Sequence, residues 1–197
     1  MFEKEVITGY PNLDISLYNS IATKQKIDLW YEACLENLYW ETGFIKIFGK
    51  NHQIPRLQAW YADQNIEYRY SGKKLNRHDW NGILLEIKLN IEHVTSHKFN
   101  SVLANLYRDE NDSMGLHADD EKELGMNPVI ASLSLGESRD IYFKHKNIKT
   151  SLNIPQTSGQ LMVMHGHTQK YWKHEIKKTK KPKKPRINLT FRNIITN

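Results

Sequence analysis

The chain has 197 residues, of which 39% are hydrophobic and 25% charged, and its formal net charge is +6 at pH 7. This length and composition are typical of one globular domain with its own core, so we expect a single domain over residues 1–197. No apolar run approaches the roughly 18 residues that cross a bilayer, and the start of the chain lacks the basic-then-apolar order of a secretory signal. We therefore expect a soluble, intracellular monomer without a membrane partner.

The cysteine content and one lysine-rich segment indicate which kinds of site and which exposed loop the chain can contain. Cys34 is the only cysteine, which excludes an internal disulfide and a cysteine-based zinc site. The segment KKTKKPKKP, residues 177–185, holds six lysines, a charge equal to the whole net charge of +6. It is too charged and too rich in proline to be buried, so we expect an exposed loop.

The first half of the chain contains two helical patterns. Apolar residues recur at three- and four-residue intervals over residues 24–38, which predicts an amphipathic helix. The same spacing predicts a second helix, with apolar positions at Trp80, Ile83, Leu84, Ile87, Ile91 and Val94.

The second half changes to short runs bounded by turn residues, which are typical of strands. The predicted strands are residues 101–109, 128–136, 139–146, 150–156, 159–166 and 186–194. Helices followed by closely spaced strands favour an α+β fold, in which two helices pack outside an antiparallel sandwich or jelly roll.

His117 and Asp119 lie two residues apart, and in an extended strand such residues share one face. His174, between two predicted strands, offers a third donor. Two histidines and one carboxylate form the facial triad of non-haem Fe(II) oxygenases. His-x-Asp alone is weak evidence, because it also occurs in solvated loops. His165 and His167 form a rival pair, so spacing alone leaves another metal arrangement open.

The last predicted strand has one apolar and one polar face. Period-2 alternation places Ile187, Leu189 and Phe191 on one side. The opposite side carries Arg186, Asn188, Thr190 and Arg192. Such a face is typical of a solvated strand, but two guanidinium groups also suit a dicarboxylate, which they bind in a bidentate manner. Asn105 and Tyr107 share a face of an earlier strand and could hold the same acid.

The sequence resembles the AlkB family of nucleic-acid dealkylases, and it is most similar to the animal-type DNA-repair branch of that family. The resemblance rests on His117-Ala118-Asp119, His174 and the pair Arg186 and Arg192. Further matches in the same order include Phe48-Gly49-Lys50, Pro55-Arg56, residues 68–72, 105–107, 119–121 and 130–134. The resemblance implies a double-stranded β-helix (jelly roll) over residues 99–197, preceded in residues 1–98 by helices and nucleotide-recognition strands and loops.

The resemblance also implies a reaction and its cofactors. Fe(II) would be held by His117, Asp119 and His174, with 2-oxoglutarate and O2 as cosubstrates. The 2-oxoglutarate site would be lined by Asn105, Tyr107, Arg186, Asn188, Thr190 and Arg192. Alkyl groups of bases such as 1-methyladenine and 3-methylcytosine would be hydroxylated and released as formaldehyde, while 2-oxoglutarate becomes succinate.

A base inside a duplex must be extruded before it meets an interior metal. Aromatic and acidic side chains near the metal are therefore predicted to bind it, and an aromatic residue at a turn is suited to fill the gap left in the duplex. The predicted substrate-binding residues are Phe48, Lys50, Arg56, Tyr68, Tyr70, Ser71, Asp120 and Glu121. For several of them, core packing or a surface role is the competing interpretation.

The lysine-rich segment lies between the third metal ligand and the last strand, where it could contact phosphates. Lys181, Lys183 and Lys184 are the predicted backbone contacts. DNA is the expected partner, which implies a cytoplasmic location in a bacterium or a nuclear one in a eukaryote. Two alternatives remain: an RNA demethylase with the same chemistry, and a non-catalytic nucleic-acid-binding module.

Overall fold

The structure, a computed structural model, describes residues 3–47, 50–66, 69–70 and 73–195. Its helices are α1 (Lys24–Asn37), α2 (Gly82–Thr95) and the short α3 (Thr168–Tyr171). Its strands are β1 (Lys4–Ile7), β2 (Ile15–Tyr18), β3 (Glu41–Ile47), β4 (Lys50–Ala62), β5 (Arg69–Tyr70), β6 (Lys73–Lys74), β7 (Arg77–His78), β8 (Ser101–Tyr107), β9 (Met114–His117), β10 (Ile130–Gly136), β11 (Arg139–His145), β12 (Ser151–Gln156), β13 (Leu161–Met164), β14 (Trp172–Ile176) and β15 (Arg186–Arg192).

The two long helices begin where side chains satisfy their first backbone amides. Thr23 accepts a hydrogen bond from the Lys26 amide, and Asn81 accepts one from the Leu84 amide at 2.9 Å. Such caps satisfy donors that have no partner within the helix. Both predicted helices are confirmed. No helix in the described part of the chain is long and apolar enough to cross a membrane.

The larger sheet has the strand order β1-β2-β13-β10-β15-β8-β4-β3, and β7 pairs with β4. One face of its central strands packs against the helices. Leu133 and Leu189 are fully buried on this face, in the cluster that contains Trp30 of α1 and Ile87 of α2. Hydrophobic burial therefore fixes which face of β15 points towards the helices.

The smaller sheet, β12-β11-β14-β9, covers the other face of the larger one. Phe143 and Trp172 of the smaller sheet share a buried cluster with Leu103 and Met162 of the larger sheet. The two long helices therefore cover the outer face of the larger of two packed sheets, and the predicted α+β jelly-roll architecture is confirmed. The metal and cosubstrate candidates lie between the two sheets.

The first half of the chain also contributes strands to the larger sheet. β1 and β2 precede α1, and β4 pairs with β8, in the register Gln58↔Asn105. The predicted order of two helices followed by the strands of the sheet therefore omits β1, β2 and β4, which belong to the larger sheet. The division of the chain at residue 98 remains a prediction.

Substitution of one buried and one exposed leucine tests whether packing of the helices on the larger sheet stabilises the fold. Leu189→Ala removes a fully buried side chain from the central strand, whereas Leu89→Ala changes a side chain of α2 that is 61% exposed. We expect the first to lower the free energy of unfolding by about 2–5 kcal/mol. The second should change it by less than about 0.5 kcal/mol. Urea unfolding measures both, and equal losses would contradict this packing.

Candidate metal centre

His117, Asp119 and His174 converge between the sheets. Each offers one donor atom, and these atoms lie within 4.8 Å of one another. The pairing of β9 with β14 places His117 directly opposite His174, with ring centroids 4.4 Å apart. Strand pairing therefore brings together two residues that are 57 positions apart in the sequence.

The Asp119 carboxylate is the most buried of the three donors. Its side chain is 1% exposed, and Arg192 donates a hydrogen bond to its Oδ1 at 2.6 Å. Burial alone would raise the pKa of Asp119, but the charge of the neighbouring Arg192 guanidinium lowers it to about 2. Asp119 is therefore ionised and available as a ligand.

The two histidines are held in their neutral form. Burial lowers the pKa of His174 to about 3, with a further contribution from His117, and burial also lowers the pKa of His117. The Nδ1 of His117 lies 2.8 Å from the Gly115 carbonyl oxygen, which can only accept a hydrogen bond. Nδ1 therefore carries the proton, and the lone pair of this tautomer is on Nε2.

The donor set fits a divalent metal such as Fe(II). Asp119 Oδ2 is buried, has no hydrogen-bond partner among the described residues, and lies 3.7 Å from His174 Nε2. A buried carboxylate oxygen without a partner is costly, and a cation between the three donors would satisfy it. Two imidazoles and one carboxylate are the ligands of non-haem Fe(II) sites. In the described part of the chain this is also the one such cluster, so the rival histidine pair gains no support.

Three neighbouring strands present polar groups to the same interior. β15 lies between β10 and β8, with Arg186 opposite Tyr107 and Asn188 opposite Asn105. On the other side Asn188 faces Ser134, and its side-chain amide donates to Ser132 Oγ at 2.8 Å. The predicted polar face of the last strand is thus an interior face.

Arg186 and Tyr107 form a cationic pocket in this interior. Arg186 is fully buried, its Nε donates to Ser134 Oγ at 3.0 Å, and its Cζ lies 5.4 Å from the centroid of the Tyr107 ring. Burial lowers the pKa of Arg186 to about 10, which leaves it charged at neutral pH. Its Nη1 and Nη2 and the Tyr107 hydroxyl have no hydrogen-bond partner among the described residues. These buried donors fit a carboxylate.

The other predicted cosubstrate residues line one cavity, which also reaches the metal candidates. Asn105, Tyr107, Asn188, Thr190 and Arg192 all contribute to its wall. Asn105 is held from behind by Arg56, whose Nε donates to its Oδ1 at 2.8 Å. Arg56 is 5% exposed, and through this hydrogen bond it contacts a residue of the cavity wall. Its predicted contact with substrate remains a prediction.

The remaining substrate candidates fall into two groups. Asp120 is exposed and forms an ion pair with Lys146 at 3.0 Å, and Glu121 is half-buried beside it. Phe48, Tyr68 and Ser71, and the side chains of Lys50 and Tyr70, lie outside the described residues.

The lysine-rich segment joins β14 to β15 as an anchored loop. The Thr179 amide donates to the Glu110 carbonyl oxygen, and the Lys183 amide donates to Glu110 Oε2, both at 3.1 Å. Lys181 and Lys184 are exposed, whereas the Lys183 ammonium is half-buried and lies 3.4 Å from Glu137. Two of the three predicted phosphate contacts are therefore exposed to solvent.

Several further residues of the site are not predicted by the sequence patterns. Ser132 and Ser134 alternate with leucines in a predicted strand, a pattern that could have indicated their inward face. Phe143 and Met162 line the cavity but resemble any core residue in the sequence. Gln169 accepts a hydrogen bond from the Asp119 amide at 2.9 Å, a contact across 50 residues that no local pattern signals.

Comparisons with known proteins agree with this geometry. Residues 14–192 match the family described as the 2OG-Fe(II) oxygenase superfamily. Human DNA oxidative demethylase ALKBH2 is 36% identical over 194 residues, which cover 93% of this chain and 74% of the relative. Bovine alpha-ketoglutarate-dependent dioxygenase alkB homolog 3 is 41% identical over 152 residues. That match covers 73% of this chain and about half (53%) of the relative.

A solved structure supports the fold. The structure of OsALKBH1 superimposes with a TM-score of 0.64, covering 96% of this chain and 100% of that chain, at 14% identity. At this identity the similarity concerns the fold alone.

Arg186→Met tests the cationic pocket. Losing one partner of a buried charge pair costs about 2–5 kcal/mol, so 2-oxoglutarate should bind roughly 100-fold more weakly. Fe(II) binding should be unchanged, because Arg186 is not among the metal donors. Arg77→Met, on β7, is the matched control and should leave both affinities intact. Anaerobic calorimetric titration measures each step, and unchanged 2-oxoglutarate binding in Arg186→Met would remove this residue from the pocket.

Proposed function

As a member of the AlkB family of 2OG-Fe(II) oxygenases, the chain is an Fe(II)- and 2-oxoglutarate-dependent dioxygenase, and we propose that it oxidatively removes alkyl groups from the bases of DNA. The observation that carries this proposal is the buried carboxylate of Asp119, unsatisfied at Oδ2 and flanked by His117 and His174. The substrate class is supported by the name of the ALKBH2 relatives, DNA oxidative demethylase.

We assign the metal to His117, Asp119 and His174. Bound Fe(II), with O2 and 2-oxoglutarate, supplies oxidising power that no amino-acid side chain has. The protein's contribution is to hold the donors in one orientation and in a low-dielectric interior. Arg192 keeps Asp119 ionised, and the Gly115 carbonyl fixes the tautomer of His117.

We assign the cosubstrate to the polar faces of β8 and β15. Arg186 and the Tyr107 hydroxyl would bind the carboxylate far from the metal, since both have unsatisfied buried donors. Asn105, Asn188, Thr190 and Arg192 complete the pocket in this proposal. The two sheets exclude bulk water from it, which strengthens these charged contacts.

The alkylated base would approach the metal from the open side of the site, after extrusion from a duplex or directly from a single strand. Asp120 and Glu121 follow the metal ligand Asp119 and are the proposed contacts to the base edge. Arg56 would act from the interior, through Asn105. We keep Phe48, Tyr68 and Ser71, which lie outside the described part of the chain, as proposed contacts, together with Lys50 and Tyr70, whose side chains lie outside it.

The anchored lysine loop is the proposed contact with the DNA backbone. It starts three residues after His174, and its first residue, Lys177, forms an ion pair with Glu175, which lines the cavity of the site. Its backbone hydrogen bonds to Glu110 hold it in place without nucleic acid, which reduces the entropy lost on binding. Lys181 and Lys184 are better placed than Lys183, whose ammonium group contacts Glu137.

We also propose that the protein is a monomer. Because its substrate would be DNA, it would work in the compartment that holds DNA, which is the cytoplasm of a bacterium or the nucleus of a eukaryote. RNA is the alternative polymer, because a methylated base presents the same edge in both.

The substrate assignment is tested with matched oligonucleotides that carry 1-methyladenine or 3-methylcytosine. We expect formaldehyde and succinate in equal amounts from DNA, and slower release from RNA of the same sequence. Asp119→Ala should abolish release and stay folded in circular dichroism. Turnover of RNA at least about tenfold faster would reverse the polymer assignment, and tight binding without turnover would favour a non-catalytic module.

Lys181→Ala tests the loop. Each lost phosphate contact should lower the slope of log K against log salt by about 0.7–0.9, and binding should weaken equally for all sequences. Lys24→Ala removes an exposed lysine on α1, outside the larger sheet, and should leave the slope unchanged. Fluorescence anisotropy over a salt series measures both. An unaltered slope for Lys181→Ala would show that Lys181 does not contact the DNA phosphate backbone.

A further inference from the structure

Asp119 is the metal donor that strand pairing does not position. β9 ends at His117, and the register between β9 and β14 includes His117 and His174 but not Asp119. Asp119 as a whole residue is nevertheless 1% exposed, so its main chain also lies in the protein interior. A buried backbone amide needs a hydrogen-bond partner, and here a side chain provides it.

That partner is Gln169, in the short helix α3. Its Oε1 accepts a hydrogen bond from the Asp119 amide at 2.9 Å, and its Nε2 lies 3.2 Å from Met164 Sδ. Gln169 is 2% exposed. The reversed orientation of the amide would set two donors against each other at Asp119, so the contact fixes the orientation of the side chain.

α3 is itself held on both sides. The Thr168 hydroxyl accepts a hydrogen bond from the Asp14 amide at 2.9 Å and donates to the Asp14 carbonyl at 3.1 Å. The Lys146 ammonium donates to the main-chain carbonyl of Gln169 at 2.9 Å and to Asp120 at 3.0 Å. The helix is therefore a fixed support, and not a mobile segment that happens to touch Asp119.

The same segment continues directly into β14, which carries His174. Gln169 lies five residues before His174, so its hydrogen bond links the main chain at Asp119 to the segment that carries His174. Strand pairing links His117 to His174. With Gln169 in place, the main chains of all three donors are joined by hydrogen bonds.

We propose that Gln169 is a positioning residue for the metal centre: by holding the main chain at Asp119 against α3, it sets the carboxylate at the distance from His117 and His174 that Fe(II) requires. This inference rests on the proposed function for the identity of the metal. It goes beyond that function by assigning the geometry of the site to an uncharged residue that is neither one of the three donors nor part of the cavity wall.

Arg192 acts on the same donor in a different way. It binds Oδ1 of the carboxylate, at the end of the side chain, whereas Gln169 binds the main chain. With both ends fixed, Oδ2 is left to face His174. Loss of Gln169 would let the main chain shift while the ion pair with Arg192 persists, and the carboxylate would then follow Arg192.

Gln169→Met tests the proposal, because it keeps the size of the side chain and removes the acceptor. We expect the Kd for Fe(II) to rise about 10- to 100-fold, the effect typical of losing a group that orients a metal ligand. Gln156→Met is the matched control: Gln156 is fully buried in β12, where its amide contacts Pro155 and Gln160. Its Fe(II) affinity should equal that of the wild type.

Fe(II) alone is titrated anaerobically into each folded protein, and hydrogen exchange is followed over residues 114–120. Gln169→Met should exchange faster there, and Gln156→Met should not. A merely structural role would lower thermal stability in both variants and leave Fe(II) affinity unchanged, which would overturn the proposal. If Gln169→Met does not fold, Gln169→Asn withdraws the acceptor by one methylene and should weaken Fe(II) binding relative to Gln156→Asn. Equal affinities would again overturn it.

Nucleic acid is absent from these titrations, so their outcome is independent of the substrate assignment. Loss of Fe(II) affinity in Gln169→Met would support the inference even if methylated DNA were not turned over. Failure of the wild type to bind Fe(II) would instead contradict the metal centre itself.

Discussion

The site depends on the buried ion pair between Asp119 and Arg192. A carboxylate in the interior of a protein is costly unless it is paired, and Arg192 compensates one oxygen only. The second oxygen has no hydrogen-bond partner among the residues that the structure describes, and it lies beside two neutral imidazoles. The unpaired oxygen makes the position attractive to a cation, whereas the ion pair with Arg192 explains why a charged residue is tolerated in the core of the two-sheet domain.

The register of β15 connects this site to the fold. A shift of one residue would exchange the two faces of the strand, so that Leu189 would point to the cavity and Arg186 to the helices. The apolar contacts of Leu189 and Phe191 on the helix side exclude that shift. Hydrophobic packing outside the sheet therefore fixes the polar groups inside it. The unsatisfied guanidinium nitrogens of Arg186 cost stability until an anionic ligand binds, which is typical of functional sites.

The sequence predicts the strongly periodic parts of this structure. Both helices and the alternation in β15 follow from spacing alone, because the hydrophobic period directly reflects which side faces the core. The metal donors were identified by their residue types and by family resemblance, since His117 and His174 meet only through strand pairing. β1 to β4 were not predicted as one sheet with the later strands, because the long-range pairing of β4 with β8 leaves no local signal. Asp119 was expected within an extended strand, but β9 ends before it, and the role of Gln169 follows from that difference.

The central claim is that one interior cavity holds a metal and a dicarboxylate side by side. A crystal structure with Mn(II) and 2-oxoglutarate bound tests it most directly. The account predicts a metal ligated by Asp119 Oδ2 and the Nε2 atoms of His117 and His174, with the far carboxylate of the acid hydrogen-bonded to Arg186 and Tyr107. A metal held by other residues, or an acid bound outside the two sheets, would contradict it.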